Sequence, residues 1–560
     1  METLTKTCRE CQRNFEVEPQ DSAFYDQVSP LLGGQKILIP APTFCPECRW
    51  IRKASYRNFK NLYHRKSDLS GKQMISMFSP DKNLTVYSTE EWWSDQWDPL
   101  SFGRDFDFSR PFFEQFDELY RSVPQPNVSI SQAENCAYTN FSWQARNCYL
   151  VFGNIKNEDC YYSNILWRSK NCFDMLYSYD CERCYECIDC ESCYECIYSS
   201  DCVHCSDSSF LTNCRSCKNC YGCINLANKE YCILNEQYSK EDYEKKIRSF
   251  QTPEGHREFF KALTTLFLAT PRRASNITSC ENVSGNHLFN CRETFDSFDV
   301  QNSEHLRFCL TAANIKDCYD CIYNGAGQEL SYESMASIGY HLLFCKNILS
   351  TCSDLYYSSD CGGIKNCFGC VGLHNKEEYC FFNKRYSKED YESLVTKVVE
   401  HMKKTGEWGE FFPAKFSPFG YNESICNDYY PLDAVTAQKK SLPWHTNTNA
   451  EINHYVGAIY EAPYSIEEVT DAVTQKILKC EVTGKLYKVL PQELSFYREM
   501  KLPLPRRCPD QRHMERMQRR NPRILWSRTC AECAAPIQTS YSPERPEKVL
   551  CEPCYLKTVY

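Results

Sequence analysis

Glycine is scarce in this chain, with 20 among 560 residues. No phosphate-cradling P-loop, dinucleotide glycine fingerprint, HExxH or GxSxG run occurs, so the common signatures of nucleotide, metalloprotease and serine-hydrolase chemistry are all missing. Long apolar runs are missing too. The longest, around Phe259 to Ala269, is too short and too polar for a membrane span. The opening stretch, Met1 to Phe15, is polar and already holds Cys8 and Cys11, which is unlike a secretory leader. These absences lead us to expect a cytoplasmic chain with no membrane partner. Thiols stay reduced there, so paired cysteines are expected to bind metal.

What the chain does have is cysteine, 39 in all. Written in rows of twelve, the stretch from Cys136 to Cys232 lines up on itself: Cys136, Cys148, Cys160, Cys172, Cys184, Cys196, Ser208, Cys220 and Cys232 head successive rows. An aromatic or apolar residue usually follows the head, and Asn or Asp usually precedes it. In the middle rows further cysteines fall three apart, as in Cys181, Cys184, Cys187, Cys190, Cys193 and Cys196. A short fixed period marks a repeat that buries its inner face against its neighbours. Its Tyr, Phe, Ile, Cys and Ser content is that of strands. The fold class expected is mainly β: two cysteine-rich β-solenoid segments with capping helices, flanked by duplicated small zinc-binding modules. A narrow coil has room inside for small groups, and a free thiol behaves as one. The ladder cysteines could be reduced core thiols, metal-loaded thiolates or disulfides. One coil could span one row or two.

The first module, residues 1–95, carries Cys8-Arg-Glu-Cys11 and Cys45-Pro-Glu-Cys48. Four thiolates in two CxxC pairs suit a closed tetrahedral Zn²⁺ site, which is structural rather than catalytic. The CxxC, Phe24-Tyr25 and the Cys45-Pro-Glu-Cys48-Arg49 run resemble the family described as a probable zinc-ribbon domain; over about fifty residues, the resemblance implies zinc binding without implying an activity. The last module, residues 476–560, repeats the first. Cys480 and Phe496-Tyr497 match Cys8 and Phe24-Tyr25. After a loop shortened by nine residues, Cys508-Pro509 matches Cys45-Pro46 and Arg520-Asn521 matches Arg57-Asn58.

That alignment gives each module two sites. Site one is intact in front (Cys8, Cys11, Cys45, Cys48) and reads Cys480, Thr483, Cys508 and Gln511 at the rear. Site two is intact at the rear (Cys530, Cys533, Cys551, Cys554) and reads Ser67, Ser70, Ser88 and Glu91 in front. The expectation is two zinc ions per chain, with the degenerate halves held by packing, Trp92 and Trp93 among it.

Between the modules, 96–130 is expected to cap the first solenoid's first rung with a short helix. Solenoid one occupies 131–236, a helical connector 237–272, solenoid two 273–385, a helix 386–406 and a linker 407–475. Cys220-Tyr-Gly-Cys223 recurs as Cys367-Phe-Gly-Cys370, and Tyr238-Ser-Lys-Glu-Asp-Tyr243 as Tyr386-Ser-Lys-Glu-Asp-Tyr391, so the body is duplicated as well. The histidines, His445 and His454 among them, show no ligand spacing. With the Phe419-Gly-Tyr-Asn-Glu423 run, the whole chain resembles a group of cysteine-rich zinc-ribbon proteins of candidate-phylum bacteria, a resemblance that implies no activity.

Charge is uneven. Net charge is −9 overall, yet residues 1–66 carry 11 Lys+Arg against 7 Asp+Glu, and residues 501–560 carry 12 against 6. Basic ends on an acidic body suggest that the ends meet a polyanion. Arg49, Arg52, Lys53 and Arg57, with Arg512, Arg516, Arg519 and Arg520, are the residues expected to grip phosphates. The function expected is a non-enzymatic, intracellular zinc-binding scaffold whose partner is a nucleic acid, a ribonucleoprotein or a protein. The alternatives are a β-solenoid enzyme acting on a carbohydrate or acyl substrate, its catalytic residues unassigned, and a thiol-based metal or redox store.

Overall fold

The computed structural model describes residues 2–250, 252–349, 352–446 and 457–559; His454 lies outside them. Strand exceeds helix, 29% against 24%. In the first ladder, short parallel strands pair at a spacing of one row: Asn140 with Phe152, Phe152 with Asn164, and Asn164 with Leu176. Single bridges carry the same step onward through Tyr149, Tyr161, Phe173, Tyr185 and Ile197. One coil is therefore one twelve-residue row.

Each coil is built from triplets. The first residue of a triplet turns the chain in the left-handed region, as at Asn147 (φ 53°), Asp159 (φ 52°) and Asn171 (φ 50°). The second points inward and the third pairs with the coils above and below. Asparagine and aspartate tolerate this backbone best, which explains why they precede the cysteines. Their side chains also bond between coils: the Asn135 amide donates to Asn147 (2.8 Å) and Asn147 donates to Asp159 (2.9 Å).

The inward column is dry. Cys184, Cys187, Cys190 and Cys193 fill one coil and are all buried. Each thiol donates to a carbonyl two residues back, as Cys184 does to Glu182 (3.4 Å), and lies close to the carbonyl nine residues on, that of Cys193 (3.4 Å). Serine does the same where it stands in the column: Ser163 donates to Tyr161 (2.9 Å) and accepts from the Met175 amide (3.0 Å). No cysteine of the chain is in a disulfide.

The second ladder is less regular. Glu304 pairs with Lys316 and Lys316 with Glu329, but Glu329 then pairs with Tyr340, so coil length wanders between eleven and thirteen residues. Both ladders end in the same way. The Asn235 side chain closes on both backbone polar groups of Ile224 (2.8 and 2.9 Å), and Asn383 closes on those of Val371 (2.8 and 2.8 Å).

The halves are crossed. Strand Val86–Tyr87 of the first module pairs with Gln125–Pro126 at the start of the first ladder, and Val549–Leu550 of the last module pairs with Arg272–Arg273 at the start of the second. Yet helix Pro46–Ala54 of the first module lies on the second ladder, and helix Pro509–Arg519 of the last module lies on the first. Each module thus bridges both ladders.

Two expectations are corrected here. Helix Phe112–Ser122 does not cap the first rung; Phe112 packs on Tyr357, Phe368 and Phe382 at the far end of the second ladder. The first part of the expected linker is core, because Trp408, Phe411, Phe412, Phe419 and Ile425 are all buried. Aromatic content this dense is apolar surface that water excludes, and it overrides the loop-like Pro and Asn content.

Candidate metal centres and the ion pairs beside them

Two groups of four cysteines come together as the spacing predicted. In each of Cys8, Cys11, Cys45, Cys48 and Cys530, Cys533, Cys551, Cys554, the sulfurs lie within 4.8 Å of one another. The Sγ–Sγ separations are 3.6 Å for Cys11–Cys45 and 3.7 Å for Cys533–Cys551. A tetrahedral ion with metal–sulfur bonds of about 2.3 Å has sulfur–sulfur edges of roughly 3.8 Å. Both groups fit such an ion, and both separations are far longer than a disulfide bond of about 2.05 Å. Local structure builds the front site. Cys45 is the N-cap of helix Pro46–Ala54, with Pro46 in its first turn, and Cys48 follows on that turn. Hydrogen bonding from Cys48 holds the Cys45 thiol down at about 5, so the group favours a shared thiolate.

The first halves of all four sites, intact and degenerate, carry one turn. The amides of Cys8, Ser67, Cys480 and Cys530 each donate to the carbonyl five residues on, and Gln12, Gly71, Gly484 and Ala534 return an amide to them. The degenerate sites replace ligands with hydrogen bonds. In front, the Ser67 hydroxyl and the Ser88 amide donate to the Glu91 carboxylate. Burial pushes that carboxyl up, but bonds from Ser67, Ser70 and Ser88 outweigh it and hold it at about 2. Trp92 is buried behind it, its indole donating to the Pro124 carbonyl (2.9 Å), while Trp93 stays exposed. At the rear, Thr483 lies 3.7 Å from Cys508 through its hydroxyl, and its amide 3.5 Å from Cys480.

Seven of the eight cations expected to hold phosphate are buried or half-buried, and Arg519 alone of the eight stays exposed. Arg49 pairs with Asp320 (2.9 Å) and Lys53 with Glu333 (3.0 Å), all four side chains at most 4% exposed. At the equivalent place in the other half, Arg512 and Arg516 pair with Asp174 (3.0 and 2.9 Å), and Arg516 also with Glu186 (2.7 Å). Arg519 reaches Glu186 (2.8 Å) and Arg520 reaches Asp189 (2.8 Å). Arg52 pairs with Glu410 (2.8 Å). Arg57 has no carboxylate; it is buried over the Phe141 ring (3.2 Å), and burial lowers its pKa to about 9. The phosphate-gripping expectation is therefore corrected for the buried and half-buried cations, Arg519 excepted. A guanidinium buried against a carboxylate is unavailable to a polyanion, and here the carboxylates belong to the acidic body. Sequence reading missed the four acids. Their signal was the left-handed corner register, in which Asp174 and Glu186 recur as Asp320 and Glu333.

A third titratable group, Asp189, Asp201 and His287, joins the two ladders. His287 lies 3.9 Å from Asp189 and 3.8 Å from Asp201, while Arg520 already binds both Asp189 oxygens (2.8 Å each). Burial raises the Asp201 carboxyl to about 6, with His287 opposing. Cavities of about 110 and 70 Å³ flank the group. His445 is buried against Tyr63 (3.3 Å), away from any thiol group. Among the described residues no helix is long and apolar enough to cross a membrane.

No family model matches this chain. No curated protein matches it either. A crystal structure provisionally titled an acetyltransferase, from Desulfovibrio desulfuricans G20, is 8% identical, with 49% of this chain and 81% of that chain covered at a TM-score of 0.10; a superposition that poor carries no argument.

Proposed function

We propose that this protein is a non-catalytic scaffold, two β-solenoids held crosswise by modules that each fold around one zinc ion. The observation that carries the reading is the coupling of a thiol group to a docking helix. Cys45 and Cys48 begin the helix whose Arg49 and Lys53 enter the second ladder. Four thiolates at these separations suit zinc, and a closed four-sulfur site leaves no position for a substrate. The inward thiols support a core role over a metal or redox store, since their donors already meet carbonyls. The buried cations weigh against nucleic acid as the partner of those residues.

Metal analysis of the purified chain tests this reading. Two zinc ions per chain are expected. Four, or none, would overturn the assignment. A gel shift with duplex and single-stranded probes is expected to show no retardation at about 0.15 M salt; a salt-sensitive shift would favour the nucleic-acid reading instead.

A further inference from the structure

The two halves match residue for residue at the ladder ends, and one carries a cover that the other lacks. Helix Phe112–Ser122 corresponds to the last part of helix Pro253–Ala269. Phe112 meets Tyr357 at 5.4 Å between ring centroids; Phe259 meets Phe210 at 5.4 Å. Phe344 stacks on Tyr357 as Tyr198 stacks on Phe210 (4.6 and 5.2 Å).

In the second half this aromatic groove is filled by a run of the chain itself, Trp408 to Phe412, which turns at Trp408-Gly409, where the Glu410 amide donates to the Glu407 carbonyl (3.2 Å). The Phe412 ring lies 4.6 Å from Phe116 and 5.7 Å from Phe113, and Trp408 lies 6.0 Å from Tyr357. Phe113 and Phe116 are consequently 5% and 3% exposed. Their counterparts are Phe260 and Leu263, and that of Tyr120 is Phe267. Among the described residues no equivalent run follows the preceding helix, because helix Lys240–Ser249 leads almost at once into helix Pro253–Ala269. Phe267 is 37% exposed, Leu268 60%, and Phe260 and Leu263 are half-buried. Contiguous apolar surface on an otherwise packed end marks an interaction site.

We infer that this groove at the end of the first ladder takes a short segment of a partner protein bearing paired aromatics after a turn, of the Trp-Gly-x-Phe-Phe type. The twin groove sets the chemistry. A second copy of this chain cannot supply the segment, since Trp408, Phe411 and Phe412 are buried in their own half. The inference goes beyond the zinc reading and does not depend on it.

The test uses the intact protein and a labelled synthetic peptide with the sequence of residues 406–414 as probe, followed by anisotropy and by amide exchange over helix Pro253–Ala269. Saturable binding is expected, with slowed exchange around Phe260 and Leu263. Leu263→Glu and, separately, Phe267→Lys should weaken binding at least tenfold, and a peptide with both phenylalanines changed to alanine should not bind. Leu263 is half-buried and Phe267 is exposed, and an unchanged melting curve will show that the variants fold. No saturation at millimolar peptide, or binding that neither variant weakens, overturns the inference. So does self-association that Leu263→Glu abolishes, which would make the occupant a second copy.

Discussion

An L-residue with φ near +55° is uncommon outside asparagine and aspartate, yet here it recurs at nearly every third position of both ladders, at Tyr162, Tyr177, Glu186 and Phe344 as well as at Asp174. Such corners cost of order 1 kcal/mol each and persist because the stacked coils over-determine them. Those same corners carry the docking acids and aromatics. Asp174 illustrates the consequence. Its carboxylate is fully buried between Arg512 and Arg516. Removing one partner of a buried pair leaves uncompensated charge, so Asp174→Ala is expected to cost about 3–5 kcal/mol in denaturant unfolding. By contrast, Cys187→Ser should cost less than about 1.5 kcal/mol, because Ser163 and Ser199 in the same column already bond the equivalent carbonyl two residues back, as Cys187 bonds Tyr185. Glu91 gives a pH signature. Its folded pKa of about 2 lies below the ordinary carboxyl value of 4.5. It therefore contributes stability above pH 4.5 that fades as pH falls toward 2. The stability gap between wild type and Glu91→Gln should close across that window, and a gap independent of pH would remove Glu91 from its role as hub.

At the scale of elements, the four-cysteine group proposed to hold zinc and the ion pairs act in series. Helix Pro46–Ala54 is fixed at its start by Cys45 and Cys48 and in its middle by Arg49 and Lys53. Nine residues make a helix too short to persist alone. A structural zinc contributes on the order of 10 kcal/mol of apparent folding free energy. Cys45→Ser is thus expected to lose the front metal and to release amide protection over 46–54, while the rear site keeps its own ion. Amide exchange by mass spectrometry reads both halves at once. Helix Pro509–Arg519 has no intact thiol group at its start, only Cys508, and depends on Asp174 and Glu186 throughout.

For the whole molecule, crossing the halves turns four pieces into one body. The basic ends neutralise an acidic body from inside, and buried pairs are screened little by salt. Limited proteolysis should therefore leave both modules attached at 1 M sodium chloride, where the Debye length is about 3 Å. Release of either module at high salt would mean that their attraction acts through solvent. Much of this was legible in the residues. Period, module duplication and both four-cysteine groups follow from spacing alone, because covalent neighbours at two-residue gaps can reach one ion and because a stacked coil must repeat its inward residue. The triplet rule lay half-visible in the Asn and Asp before each cysteine. Docking was not legible. Arg49 and Asp320 are 271 positions apart, and no local pattern says that a cation will be buried rather than solvated. The chain by itself determined what each piece is, since turn preference, thiol size and ligand spacing are local properties. Which piece lies on which, and hence whether its charges face water or one another, was decided only by tertiary packing, where desolvation and long-range pairing are settled together.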